Sequence, residues 1–128
     1  TLALVALALP AFAAGPLLTQ GTCRLTWDAP IANVDGTALV DLAKYRVYVG
    51  TAPGVKKGAS ATAEVGAPNP APVAGTTATW ACAGLTRGQK YAVVTAVDLS
   101  GLESVESNEV PFVFEDQSNP PGNLRIGP

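Results

Sequence analysis

Carboxylates are the side chains of this sequence best suited to catalysis. Asp28, Asp35 and Asp41 border one loop, and Asp98 and Glu103 border a second. Glycoside hydrolysis needs two such groups at a set separation across a cleft. The same loops offer oxygens to a hard cation, and Asn33, Asp35 and Asp98 are the candidate Ca²⁺ ligands. Their spacing, however, lacks the D-x-[DN]-x-[DN]-G run of a dedicated calcium loop. The plainer reading of these residues is turn building, because an Asp side chain bonds the backbone just after it. The expectation is therefore no catalytic residue, no cofactor, and no metal site beyond those calcium candidates.

The rest of the chemistry is narrowed by composition. The chain has no His, which removes the commonest general base, the commonest metal ligand and every Ser–His or Cys–His pair. Its two cysteines, Cys23 and Cys82, are too far apart for a zinc motif, which clusters its ligands. The net charge is −2, and the one basic pair is Lys56–Lys57. Two adjacent charges neutralise too few phosphates to hold nucleic acid, and the same shortage disfavours an anionic membrane surface. The 128 residues suffice for one domain with a core, and a hydrophobic share of 48 % excludes wholesale disorder.

The elements that position these groups read as strands. Short alternating runs are bounded by Gly, Pro, Asn and Asp, with no sustained helical period. Residues 22–28 place Cys23, Leu25 and Trp27 on one face. Residues 31–42 form a long loop, tightest at Asn33–Gly36. Residues 44–50 place Tyr45, Val47 and Val49 on one face, with Arg46 and Tyr48 on the other. Residues 59–74 are Ala- and Pro-rich and predict an edge or loop, with a short strand near Thr62–Val65. Residues 76–82 place Trp80 and Cys82 together. Residues 90–98 are the most apolar run, and residues 105–114 are the last strand, with Pro111 at an edge or bulge.

The two ends read differently. Leu2–Leu9 is wholly apolar, Pro10 stops it, and Ala11-Phe12-Ala13 has the small–x–small pattern of a cleavage site. Residues 1–13 thus read as part of a secretory signal peptide, cleaved after Ala13. The stretch is too short to cross a bilayer, which takes about 20 apolar residues. The mature chain is expected to be periplasmic or extracellular, with no membrane span. Residues 116–128 are polar and Pro-rich, and read as a tail or a linker to a further module.

At this point the runs resemble a known family. Leu25-Thr26-Trp27-Asp28-Ala29-Pro30 is similar to strand B of a fibronectin type III domain, and Tyr45-Arg46-Val47-Tyr48-Val49-Gly50 to strand C. Gly84-Leu85-Thr86-Arg87-Gly88-Gln89-Lys90-Tyr91 resembles the turn between strands E and F. Leu85, Gly88 and Tyr91 there match the family's "tyrosine corner", whose Tyr hydroxyl bonds back to the loop. Ala96-Val97-Asp98 and Ser100–Ser104 resemble the end of strand F and the F–G loop, and Ser107-Asn108-Glu109-Val110 the start of strand G. The likeness spans residues 17–115. It implies an all-β, two-sheet, immunoglobulin-like sandwich with its B–C and F–G loops at one end.

The resemblance has consequences for single residues. Strands B and E neighbour each other in this fold, so Cys23 and Cys82 are expected to form a disulfide, stabilising by about 3–4 kcal/mol in the chain-entropy picture. Trp27, Trp80, Tyr45 and Tyr91 are expected in the core. Tyr48, beside Arg46, is expected outward as an exposed contact residue. The register of strand F stays open. Counting from Tyr91 puts Val93, Thr95 and Val97 inward, whereas apolarity prefers Ala92, Val94 and Ala96, and a bulge would reconcile the two.

The expected function is that of a non-catalytic, monomeric module for binding, adhesion or spacing, accessory to a surface or carbohydrate-active protein. Its partner would be a protein or a polysaccharide. The alternatives are a structural subunit of an extracellular assembly joined by β-edge contacts, and a small carboxylate-dependent hydrolase.

Overall fold

The structure, a computed structural model, describes residues 14–116 and 118–127. The signal-peptide reading of residues 1–13 lies outside them. The described residues contain seven strands and no helix: β1 (Leu17–Thr19), β2 (Leu25–Asp28), β3 (Leu42–Gly50), β4 (Ala63–Gly66), β5 (Thr77–Trp80), β6 (Gly88–Asp98) and β7 (Val110–Glu115). Five form one sheet in the order β1-β7-β6-β3-β4, and β2 pairs with β5 in a second. All pairings are antiparallel except β1 with β7.

Alternation decides which side chains meet between the sheets. Tyr45, Val47 and Val49 of β3 pair with Ala96, Val94 and Ala92 of β6. Val47 and Ala92 join Phe112 and Phe114 from the larger sheet with Cys23, Trp80 and Cys82 from the smaller side in one buried cluster. Leu39, Leu42 and Tyr45 extend it, with Trp27 packed against them. The Trp27 and Tyr45 rings meet edge to face, with centroids 5.3 Å apart. Such pairs add to the stabilisation that burying their area already supplies.

Both faces of β6 are covered: Ala92, Val94 and Ala96 pack in the clusters between the sheets, while Tyr91, Val93, Thr95 and Val97 are buried on the other face. Pairing is continuous from Tyr91 to Val97, and the irregularity sits in β3, between Leu42 and Lys44. Tyr91 is buried, as expected, but on the face of β6 that points away from the Trp27–Trp80 interior. It is only 8 % exposed, because the outer face of the sheet is itself covered. Among the described residues its hydroxyl makes no hydrogen bond, so the bond back to the loop implied by the resemblance is not formed there. Leu85 packs on the core, and Gly88 opens β6 with a φ of +125°, which only glycine adopts without strain.

The last strand is also shorter than expected. β7 begins at Val110 rather than near residue 105. Ahead of it, Ser104 N–H donates to the Ala96 carbonyl at 2.8 Å, and Ser107 N–H to the Val94 carbonyl at 2.9 Å. In return, Ala96 N–H donates to Ser104 Oγ and Val94 N–H to Ser107 Oγ, each at 2.9 Å. Between these bonds Val105 and Glu106 stand against the single Thr95, which is a bulge. The two hydroxyls serve β6 where carbonyls of a regular ladder would.

Cys23 and Cys82 lie just beyond β2 and β5 and are joined, with Cα atoms 5.7 Å apart. Continuing the Leu25↔Trp80 register by two residues sets them opposite each other. The bridge ties the chain where the short ladder stops.

Candidate functional site

The two loops with the calcium candidates fold mainly onto themselves. Asp35 Oδ1 accepts from Thr37 N–H at 3.0 Å and from Thr37 Oγ1 at 2.6 Å. Asn33 Nδ2 donates to Thr37 Oγ1 and to the Ala38 carbonyl. Asp98 Oδ1 accepts from Ser100 Oγ at 2.7 Å and from the Ser100 and Leu102 N–H groups at 3.0 and 2.9 Å. The Thr37 hydroxyl holds the Asp35 carboxyl below its ordinary pKa, and the Ser100 hydroxyl does the same for Asp98. Asn33 and Asp98 line a common hollow with Leu39 and Leu42, but Asp35 does not reach it. Among the described residues, no three acidic or sulfur side chains gather as a metal cluster would need. Asp35 and Asp98 act here as builders of their own turns.

The outer face of the five-stranded sheet holds a denser polar group, centred on Glu103. Its Oε2 accepts from the Tyr48 hydroxyl and from Thr95 Oγ1, both at 2.6 Å. Its Oε1 lies 3.1 Å from Arg46 Nη1. Arg46 also donates through Nε to Glu64 at 3.0 Å, and Lys44 reaches the other Glu64 oxygen at the same distance. Cross-strand pairing sets this up: Arg46 stands opposite Thr95 on β6 and opposite Glu64 on β4. Burial alone would raise the Glu103 pKa, but the hydrogen bonds from Thr95, Tyr48 and Arg46 outweigh it and hold the carboxyl below its ordinary value. Burial and the bond to Glu103 push the Tyr48 phenol up.

Residues 51–60 pass over this face and are latched down. Gly54 and Val55 N–H donate to Glu109 Oε1 at 3.0 and 2.8 Å, and Lys57 N–H to Glu106 Oε2 at 2.9 Å. Lys57 Nζ donates to the Ser104 carbonyl at 3.0 Å. The bond from the Lys57 backbone lowers the Glu106 pKa. Tyr48 is consequently 4 % exposed, so the expectation of an exposed contact residue fails. It points to the outer side as expected, but a strap of chain lies across it. Arg46 is engaged by two carboxylates.

Sequence reasoning placed Glu103 at a loop border and gave no role to Glu106 or Glu109. A signal was available: three glutamates at every third position, and one basic pair elsewhere in the chain. Each of the three glutamates accepts hydrogen bonds from the sheet or from the residues that cross it. Together these bonds fix residues 51–60 as a strap across the outer face.

A third feature lies along β2. Trp27 is flanked by two shallow hollows, one shared with Tyr45, Val94 and residues 104–107, the other with Arg24, Ala92 and residues 107–108. Its indole Nε1–H is buried without a hydrogen-bond partner. No protein-family model, curated protein or solved structure matches the chain.

Proposed function

We propose that this chain is a non-catalytic module of the fibronectin type III kind, exported to the periplasm or beyond, that binds or spaces other domains through its loop ends. The observation that carries this reading is the employment of its acidic residues. Asp35, Asp98, Glu103, Glu106 and Glu109 each accept hydrogen bonds that fix a loop or the strap. Loops held this way present a constant surface, which suits recognition more than turnover.

The strand partners support the fold part of the proposal. β2 lies beside β5, and β6 lies between β3 and β7, as strands B, E, C, F and G do in immunoglobulin-like sandwiches. β1 departs from that pattern by pairing with β7 rather than with β2. The disulfide is compatible with an oxidising compartment.

The test pairs two measurements on the full chain: a glycan and peptide array, and a screen against ester, glycoside and phosphate substrates. The expected result is no turnover that Asp35→Ala with Asp98→Ala removes. Array binding should be lost when residues 33–37 or 99–102 are replaced by Gly-Ser. Turnover abolished by the aspartate substitutions would overturn the reading in favour of a hydrolase.

A further inference from the structure

The outer edge of β2 carries no partner strand among the described residues, because β1 has moved to β7 and leaves β2 paired with β5 alone. Edge strands with free N–H and C=O groups recruit other strands unless something guards them. The β4 edge has such guards in Glu64 and in the prolines that follow at Pro68, Pro70 and Pro72. β2 has none.

Ladder alternation shows which groups are free. Ala29 N–H donates to the Thr76 carbonyl at 2.8 Å, which marks that opposed pair as hydrogen-bonded. Counting back through the observed register, Trp27↔Ala78 and Leu25↔Trp80 are the hydrogen-bonded pairs. The N–H and C=O groups of Arg24, Thr26 and Asp28 therefore point to the open side. The side chains of these residues are also the exposed ones, while Leu25 and Trp27 turn toward the interior.

The charges add an independent constraint. Arg24-Leu25-Thr26-Trp27-Asp28 is positive at one end, negative at the other, and centred on Thr26. Neither Arg24 nor Asp28 joins an ion pair among the described residues. Four residues apart on one strand, they are about 13 Å from each other and cannot meet within a chain.

We infer that β2 is a self-pairing edge: two copies of this chain associate antiparallel about a two-fold axis at Thr26. In that register Arg24 of each copy stands opposite Asp28 of the other, and Thr26 stands opposite its own copy. The residues that carry the free backbone groups are the same residues that the charges bring together. One register thus satisfies the backbone and the ion pairs at once, as an isologous interface requires. On the inner side Leu25 comes opposite Trp27 of the other copy, covering the flank where the Trp27 hollows open. The result is one four-stranded sheet, β5-β2-β2-β5, across the dimer. β5 offers the same free backbone on its far side, but residues 76–80 contain no charge to choose a register. The inference goes beyond the binding-module reading and departs from the monomer expected of the sequence.

Sedimentation equilibrium on the full chain, from low micromolar to millimolar, tests it. The wild type should pass from monomer to dimer and stop there, with association weakening as salt rises. Arg24→Asp or Asp28→Arg alone places like charges opposite each other twice, and should weaken the dimer roughly ten-fold or more. The double variant R24D/D28R restores opposite charges in the same register and should regain wild-type association. Thr26→Pro removes the central N–H and should abolish the dimer, with circular dichroism confirming the fold of each variant. A wild type that stays monomeric throughout overturns the proposal and leaves the edge free for a different partner. So does a dimer indifferent to the single reversals, or a folded double variant that fails to recover.

Discussion

Glu103 shows how much can hang on one side chain. It gathers two hydroxyls and a guanidinium from β3 and β6 onto one carboxylate. Removing it leaves the Thr95 hydroxyl covered without its acceptor and the Tyr48 hydroxyl with only its longer 3.3 Å bond to the Gly58 carbonyl, and orphaned groups cost more than the bonds were worth. Glu103→Ala should therefore lower stability by about 3 kcal/mol, and Glu103→Gln, which keeps an acceptor, by about 1 kcal/mol; urea midpoints at neutral pH measure both. The pH dependence follows from the depressed folded pKa values of Glu103 and Glu106. Acid protonates the unfolded chain first, so their stabilisation is complete above the ordinary Glu value of about 4.3 and is lost as pH falls through the lower folded values. A melting temperature that drops through this window in the wild type, and drops less in Glu103→Gln, is the expected outcome. The outward direction of Tyr48 was legible from alternation alone. Its burial was not, because the covering residues bond to glutamates 49–55 positions away along the chain.

Among the elements, β3 and the apolar body of β6 were readable because a period of two, sustained over many residues, fits a strand and little else. The choice of face in β6 shows where analogy misleads. Counting from Tyr91 picked residues that are all buried, but on the outer side, while Ala92, Val94 and Ala96 fit opposite Val49, Val47 and Tyr45 between the sheets. The start of the last strand was misread for a local reason. Ser104 and Ser107 offer hydroxyls in place of regular pairing, a competition that strand patterns do not display. Replacing both by Ala should expose the Ala96 and Val94 amides, whose hydrogen exchange should quicken most. The cost should be about 1 kcal/mol for each serine lost. Exchange unchanged at those two amides would mean that the serines are decoration.

At the scale of the molecule, the two-stranded sheet is small, and the Cys23–Cys82 bridge closes 59 residues around it. In the chain-entropy picture a loop of that size contributes about 4 kcal/mol. Reduction, or Cys23→Ala with Cys82→Ala, should lower the unfolding free energy by about that amount, read from denaturant midpoints with and without reductant. The β signature in circular dichroism should persist at low temperature. The all-β class and the cysteine pairing were legible because both rest on periodicity and on one long-range closure. The polar network and the open β2 edge were not, since both depend on which strands end up side by side: β4 beside β3, and β1 beside β7 rather than β2.

The turn at residues 31–39 has a practical consequence. Its bonds close within itself: Ala32 bridges Ala38, Asn33 N–H donates to the Thr37 carbonyl, Leu39 N–H to the Ile31 carbonyl, and Asp35 holds Thr37. Val34 at its tip is fully in solvent. A foreign peptide spliced between Val34 and Asp35 would lengthen a hairpin whose base is already stitched, so the scaffold beneath could carry cargo there without learning of it.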